Sequence, residues 1–250
     1  MRFTTDRSLH VQRRSRRAFQ ALIATTLAVA AVSVASGSTA LAHGSNNLPL
    51  GSLYNVVDQI GARDLWNAGY TGRGINVAIV DTGITPVAAL SAPGKVVAAV
   101  DLSGEGQLAE ARNLDTYGHG THIAGIIAGR QPGKSPRNAD EHPEWFMGVA
   151  PGAGLVSVKV ADNTGATDIS QVIAGVDWVT DHAAQLDIRV LNLSYASGSP
   201  LPYTSDPLAY AVERAWKAGI VVVVSAGNSG NLSSTLTSPA LDPYVIAVAA

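Results

Sequence analysis

The feature that most constrains this chain is a repeated alternation of short branched-apolar runs with stretches of helical periodicity. The runs fall at 76–80, 95–100, 155–160, 188–193, 220–224 and 244–249, and the fifth is an unbroken Ile-Val-Val-Val-Val. Continuous apolar runs of this length are what parallel strands buried on both faces require. Between them, residues 119–129 and 168–183 carry apolar side chains at helical spacing, the second at positions 169, 172, 173, 176 and 179. Asp206-Pro207 opens a further helix that stops at Gly219, with the acid as cap, proline inside the start and glycine past the end. A short helical segment is expected over 60–66. Strand–helix alternation predicts an α/β fold, a doubly wound and mostly parallel sheet with helices on both faces. Sites in such sheets form beyond the carboxyl ends of the strands.

Three stretches at such positions carry chemistry. Asp81 ends the first strand within Ile79-Val-Asp-Thr-Gly-Ile84. His119, 38 residues later, lies between two glycines at a helix start, in Asp115-Thr-Tyr-Gly-His-Gly-Thr-His-Ile-Ala-Gly125. Asn228 follows the fifth strand, in Val224-Ser-Ala-Gly-Asn-Ser-Gly230. Taken singly, each has an ordinary reading as a turn former or a cap. Taken together they suit one task. A carboxylate orients an imidazole and fixes its tautomer, so that the other ring nitrogen can take a proton. An amide side chain can donate to a developing oxyanion. A nucleophile is the missing part.

These blocks resemble three of the four signature blocks of the subtilisin-like serine proteases, the subtilases: Asp81-Thr-Gly-Ile, His119-Gly-Thr-His-Ile-Ala-Gly and Ser225-Ala-Gly-Asn-Ser-Gly. The resemblance extends over about residues 54–250. It implies a serine endopeptidase in which Asp81 orients the histidine, His119 is the general base and Asn228 is the oxyanion donor. It also implies that Ser194, Tyr195 and Ala196 pair with the substrate backbone as an added strand, with Ser225, Ala226 and Gly227 as the facing wall. Tyr195 and Ala196 depart from the family's Ser-Leu-Gly-Gly segment, so no side-chain preference carries over. The fourth block, Gly-Thr-Ser, does not occur in these 250 residues, and neither does a Gly-x-Ser-x-Gly elbow. The serines after Asn228, at 229, 233, 234 and 238, lack that context. The expectation is therefore a chain whose nucleophile lies outside the sequence given. The alternative is an inactive pseudoprotease that keeps the groove as a peptide-binding module.

The ends and loops add further expectations. Residues 1–42 hold six arginines and one acid, then an apolar run from Ala21 to Ala35 and the small-residue pattern Ala40-Leu-Ala42. That is the pattern of an export signal, too short to span a membrane. Ser15-Arg-Arg-Ala-Phe19 resembles the twin-arginine variety. Residues 43–53 read as a linker and 54–250 as the catalytic domain. Subtilases usually carry a propeptide of several dozen residues at this place, and none is expected here. A secreted, extracellular protein acting on protein or peptide substrates follows. Of the chain's 17 basic and 19 acidic residues, the part after residue 42 keeps 11 and 18, a net of −7. That balance argues against nucleic acid and anionic membrane as partners. Its oligomeric state is open.

No cofactor is expected. Cysteine is absent, which excludes a disulfide framework and thiolate metal sites. Calcium is possible through the family, but the 130–147 insertion, with Pro132, Pro136 and Pro143, shows no recognisable calcium loop. His122, three residues after His119, is read as a packed or hydrogen-bonded helix residue and not as a metal ligand. Trp178 is assigned to the core. Gly72-x-Gly74 precedes its strand, which excludes a dinucleotide-binding turn.

Overall fold

The structure is a computed structural model that describes residues 48–228, 230 and 236–249. The expected export signal therefore lies outside the described residues. The elements, in chain order, are α1 (Leu53–Gln59), α2 (Ala62–Asn67), β1 (Asn76–Asp81), β2 (Val96–Asp101), α3 (His119–Ala128), β3 (Gly154–Lys159), α4 (Ile169–His182), β4 (Ile188–Leu193), α5 (Pro207–Lys217), β5 (Val221–Ser225) and β6 (Ile246–Val248). The six strands form one sheet in the order β2-β3-β1-β4-β5-β6, and every neighbouring pair is parallel. The expected fold class is the one observed.

Strand alternation decides which face each residue serves. Along β1, Ala78 and Val80 join a large cluster with Val172, Val176 and Val179 of α4 and Leu208 and Val212 of α5. Val77 and Ile79 join a second cluster with Ala124 and Ala128 of α3. Helices thus cover both faces: α3 on one, α4 and α5 on the other. Asp81 falls in the same alternate set as Val77 and Ile79, so its side chain points to the face on which α3 packs. Lys159, at the end of β3, is paired in register with Asp81 and shares that face. The inner strands β1 and β3 are buried almost throughout, whereas the edge strand β2 alternates and β6 is exposed along its length.

Caps follow the sequence closely. Asp206 accepts from the amides of Leu208 and Ala209 at the start of α5, and Asp168 with Gln171 forms a capping box on α4. One element was not expected. Ser52 caps α1, so regular structure begins inside the stretch read as a linker. The short 60–66 segment is displaced to Ala62–Asn67, with Gly61 in the left-handed region between the two helices. The 130–147 insertion contains a 3-10 helix over Pro136–Glu141 and closes on itself through a bridge between Arg130 and Met147. Trp178 packs on the larger core cluster and stacks on His182, with ring centroids 4.1 Å apart.

Candidate active site

Asp81 ends β1 as a buried carboxylate, and α3 begins at His119 on the same face. The two meet directly: His119 Nδ1 lies 2.7 Å from Asp81 Oδ1. The Thr82 amide donates to the same oxygen at 2.8 Å. Oδ2 of Asp81 is buried without a donor among the described residues. The imidazole itself is 44% exposed. A carboxylate on Nδ1 makes that nitrogen the donor, which leaves Nε2 as an acceptor at the open side.

The glycines on either side of His119 have different physical reasons. At Gly120, a Cβ would overlap the carbonyl of Gly83, so only glycine lets α3 press against the turn that follows Asp81. Gly118 has φ +110°, a conformation that side chains with a Cβ rarely adopt. It is also the residue at the cap position of α3, and it offers no side chain to the helix.

The missing cap comes from Asp115. Its Oδ1 accepts from the amides of Tyr117 and Gly118, at 3.1 and 2.6 Å, and its Oδ2 accepts from the amide of Thr121 at 2.8 Å. The hydroxyl of Thr82 donates to Asp115 Oδ1 at 2.8 Å and accepts from the Gly120 amide at 2.8 Å. Burial pushes the Asp115 carboxyl up, but the donors from Thr121, Gly118 and Thr82 outweigh it and hold the group below the ordinary aspartate value. An acid four residues before a histidine whose helix starts on glycine was the available signal.

A second support lies behind Asp81. Lys159 is completely buried and donates to the Thr82 carbonyl at 3.0 Å and to the Thr116 hydroxyl at 3.2 Å. Glu105 pairs with it at 2.9 Å. Donation from Thr116 and then from Lys159 holds the Glu105 carboxyl below its usual value.

The remaining candidate residues sit at the same edge of the sheet. Ser194, Tyr195 and Ala196 follow β4 as a partly exposed segment without regular structure. Asn192 donates its side-chain amide to Ser194 Oγ at 2.9 Å. Tyr195 leans on the large core cluster, and burial, with Asp168 adding to it, raises its hydroxyl pKa. Ser225, Ala226 and Gly227 end and follow β5. The Ala226 amide donates to Val248 of β6, and Thr237 donates both its amide and its hydroxyl to the Ala226 carbonyl. Asn228 is exposed just beyond. β4 and β5 are adjacent and β4 borders β1, so these segments and Asp81 leave the sheet along one edge. Among the described residues a hydrogen bond joins Asp81 to His119, and none links Asn228 to either.

Two expectations need comment. His122 is exposed and not packed, and it lines an open apolar hollow of about 740 Å³ with Val87, Ile126 and Phe146. The buried stripe of α3 runs through Gly120, Ala124 and Ala128, which leaves position 122 on the far side. Of the four later serines, Ser238 is buried and its carbonyl accepts from the Ser197 amide, away from any open surface. Ser229, Ser233 and Ser234 lie outside the described residues. Among the described residues, no group of three or more His, Cys, Asp or Glu is placed to hold a metal ion.

The chain is 37% identical over 188 residues to the serine protease AprX of Bacillus subtilis, covering 72% of this chain and 39% of that protein. It is 37% identical over 185 residues to subtilisin DY of Bacillus licheniformis, covering 73% and 58%. It is 32% identical over 194 residues to the minor extracellular protease Epr of Bacillus subtilis, covering 78% and 26%. The chain thus matches well under two thirds of the length of each of these relatives. Residues 72–250 match the family model described as the subtilase family. With a family-model match over residues 72–250 and relatives 37% identical, the chain belongs to the subtilase family, Peptidase S8.

Proposed function

We propose that this chain carries the acid–base part of a secreted serine endopeptidase site that hydrolyses peptide bonds in proteins or peptides. The observation that supports it most is the 2.7 Å contact between His119 Nδ1 and the buried Asp81 carboxylate. In this reading Asp81 holds the ring and stabilises the imidazolium. His119 Nε2 accepts the proton of a serine hydroxyl as its oxygen attacks the substrate carbonyl, then delivers that proton to the leaving amine. Water hydrolyses the acyl-enzyme by the reverse proton path. Asn228 donates to the oxyanion. Ser194, Tyr195 and Ala196 pair with the substrate backbone, and Ser225, Ala226 and Gly227 form the opposite wall. The serine belongs to a Gly-Thr-Ser block, which these 250 residues do not contain. Secretion is supported by the basic-then-apolar N-terminus, here with a twin-arginine pattern, and by the relative named an extracellular protease.

The test uses a broad peptide substrate and a serine-directed phosphonylating probe. The 250-residue chain should neither turn over nor become labelled. A chain in which these residues are joined to a Gly-Thr-Ser-bearing segment should do both, and His119→Ala should abolish turnover. Peptide binding without turnover in that longer chain would favour the pseudoprotease reading. Labelling of Ser229, Ser233 or Ser234 in the 250-residue chain would reveal a different nucleophile.

A further inference from the structure

At the opposite end of the sheet from Asp81, a cavity of about 570 Å³ opens among the segments that enter β1, β2 and β3 and the insertion that follows α3. A six-residue strand separates the two ends, roughly 20 Å at the rise of a β-strand. Arg73, Lys95, Arg130, Lys134 and Arg137 line this cavity, and among the described residues no Asp or Glu does. After residue 42 the chain holds only 11 basic residues against 18 acidic ones. Nearly half of its cations therefore face one hollow in an otherwise acidic body.

Their pairing is as telling as their number. Of the six other basic residues, Arg63, Lys159, Arg214 and Lys217 each have a carboxylate partner. None of the five cavity cations forms an ion pair with a described carboxylate. Lys134 lies over the Trp145 ring, with its ammonium 4.5 Å from the centroid. Glu144, whose carboxyl feels the Lys134 charge, is exposed, partners His142 and does not line the cavity. Lys95 is buried and donates to the carbonyls of Pro151 and Ala153, at 3.0 and 2.8 Å. Those two bonds leave one of its three ammonium donors free.

Like charges held this close, one of them buried, cost stability unless an anion joins them. We propose that this cavity is a binding site for a small, multiply charged oxyanion of the pyrophosphate type. Three guanidinium groups suit paired bonds to phosphate oxygens, and the two ammonium groups add charge at the wall. Among the described residues no exposed aromatic ring lines the cavity to stack a base, since Trp66 is buried with its indole N–H bound to the Val149 carbonyl. That favours an inorganic anion over a nucleotide. Burial, and then the nearby Arg130, lower the Lys95 pKa to about 8. An anion would fasten the 130–137 segment to the loops entering all three strands, tightening the fold far from the catalytic edge. The inference is independent of the proposed peptidase activity.

The experiment titrates the full chain with sodium pyrophosphate at constant ionic strength, following heat of binding and thermal unfolding. Saturable binding near one to one is expected, with Tm raised by roughly 5 °C at about 100-fold excess over Kd. Arg130→Gln/Arg137→Gln should weaken binding by roughly tenfold or more. Arg189→Gln, which removes an exposed cation of β4 outside the cavity, should leave it unchanged. If the double variant does not fold, Arg73→Gln serves in its place. Absence of saturable heat, equal affinity in both variants, or the same Tm rise from chloride at matched ionic strength would overturn the site.

Discussion

The Thr82 hydroxyl donates to the Asp115 carboxylate across 33 residues of sequence, and with the Asp81–His119 contact it joins the two halves of the site. On one side Thr82 follows Asp81. On the other, Asp115 holds the amides that open the helix of His119. The same hydroxyl accepts from Gly120, so strand end, loop and helix start share one small network. Asp115→Ala should lower stability by about 2 kcal/mol, because charge-assisted bonds and a helix cap are lost together. Denaturant unfolding measures it. A change below about 0.5 kcal/mol would mean that water replaces the carboxylate without loss.

The Asp81–His119 contact should be visible by proton NMR in the 250-residue chain. A proton held between Nδ1 and a buried carboxylate resonates far downfield and exchanges slowly. Asp81→Asn should remove that signal. If the native protein shows no such resonance at low temperature, the ring does not donate to Asp81.

Gly120→Ala probes the close approach of α3 to Gly83. The added methyl meets backbone that cannot swing aside, and overpacking of this kind costs about 2 kcal/mol. The downfield resonance should broaden or vanish, because the helix must lift away from Asp81. Gly118→Ala, strained by its φ but open around its Cβ, should cost about 1 kcal/mol and keep the resonance. Equal effects of the two substitutions would refute the distinction.

Acid should weaken the fold through Glu105 and Asp115. Both carboxyls are held below their ordinary values of 4.5 and 3.8. Their contribution is therefore full above those values and lost as pH falls through them toward the folded-state values. Glu105→Gln should flatten this acid limb. At neutral pH it should also cost about 3 kcal/mol, because the buried Lys159 ammonium loses its counter-charge. Stability curves from pH 7 to pH 3 on both proteins test this, and parallel curves would exclude Glu105.

Exposed apolar side chains along β6 and beside it should bind a hydrophobic dye. Ile246 and Val248 are about half exposed, and Leu241, Tyr244 and Val221 lie open near the same edge. Fluorescence enhancement on the 250-residue chain should fall when Ile246 and Val248 are changed to Thr. An unchanged signal would place dye binding elsewhere.

Much of this was legible in the residues. β1, β3 and β5 announce themselves because inner parallel strands must be apolar on both faces, and α5 because Asp206, Pro207 and Gly219 mark its ends. Asp81 and His119 stand out because an acid at a strand end and a histidine between glycines have few joint explanations. The roles of Asp115, Lys159 and Glu105 were hidden. They depend on partners 33, 77 and 54 residues away, which no local pattern encodes. α1 was missed because only Val57 of its seven residues is buried, too little for a periodic signal. His122 turns to solvent because it lies two residues from the buried Ala124, about half a turn around the helix.

The position of β1 between β3 and β4 has a consequence for how the molecule is made. On a growing chain, the strand carrying Asp81 stays bare on one side until residue 188 and its neighbours emerge, more than a hundred positions later. Asn76 waits as long for its bond to the Leu186 carbonyl. Pairing over such distances is slow, and an unpaired apolar strand is prone to sticking to others of its kind. Aggregation during synthesis should therefore be governed by how long Val77, Ala78, Ile79 and Val80 remain without β4.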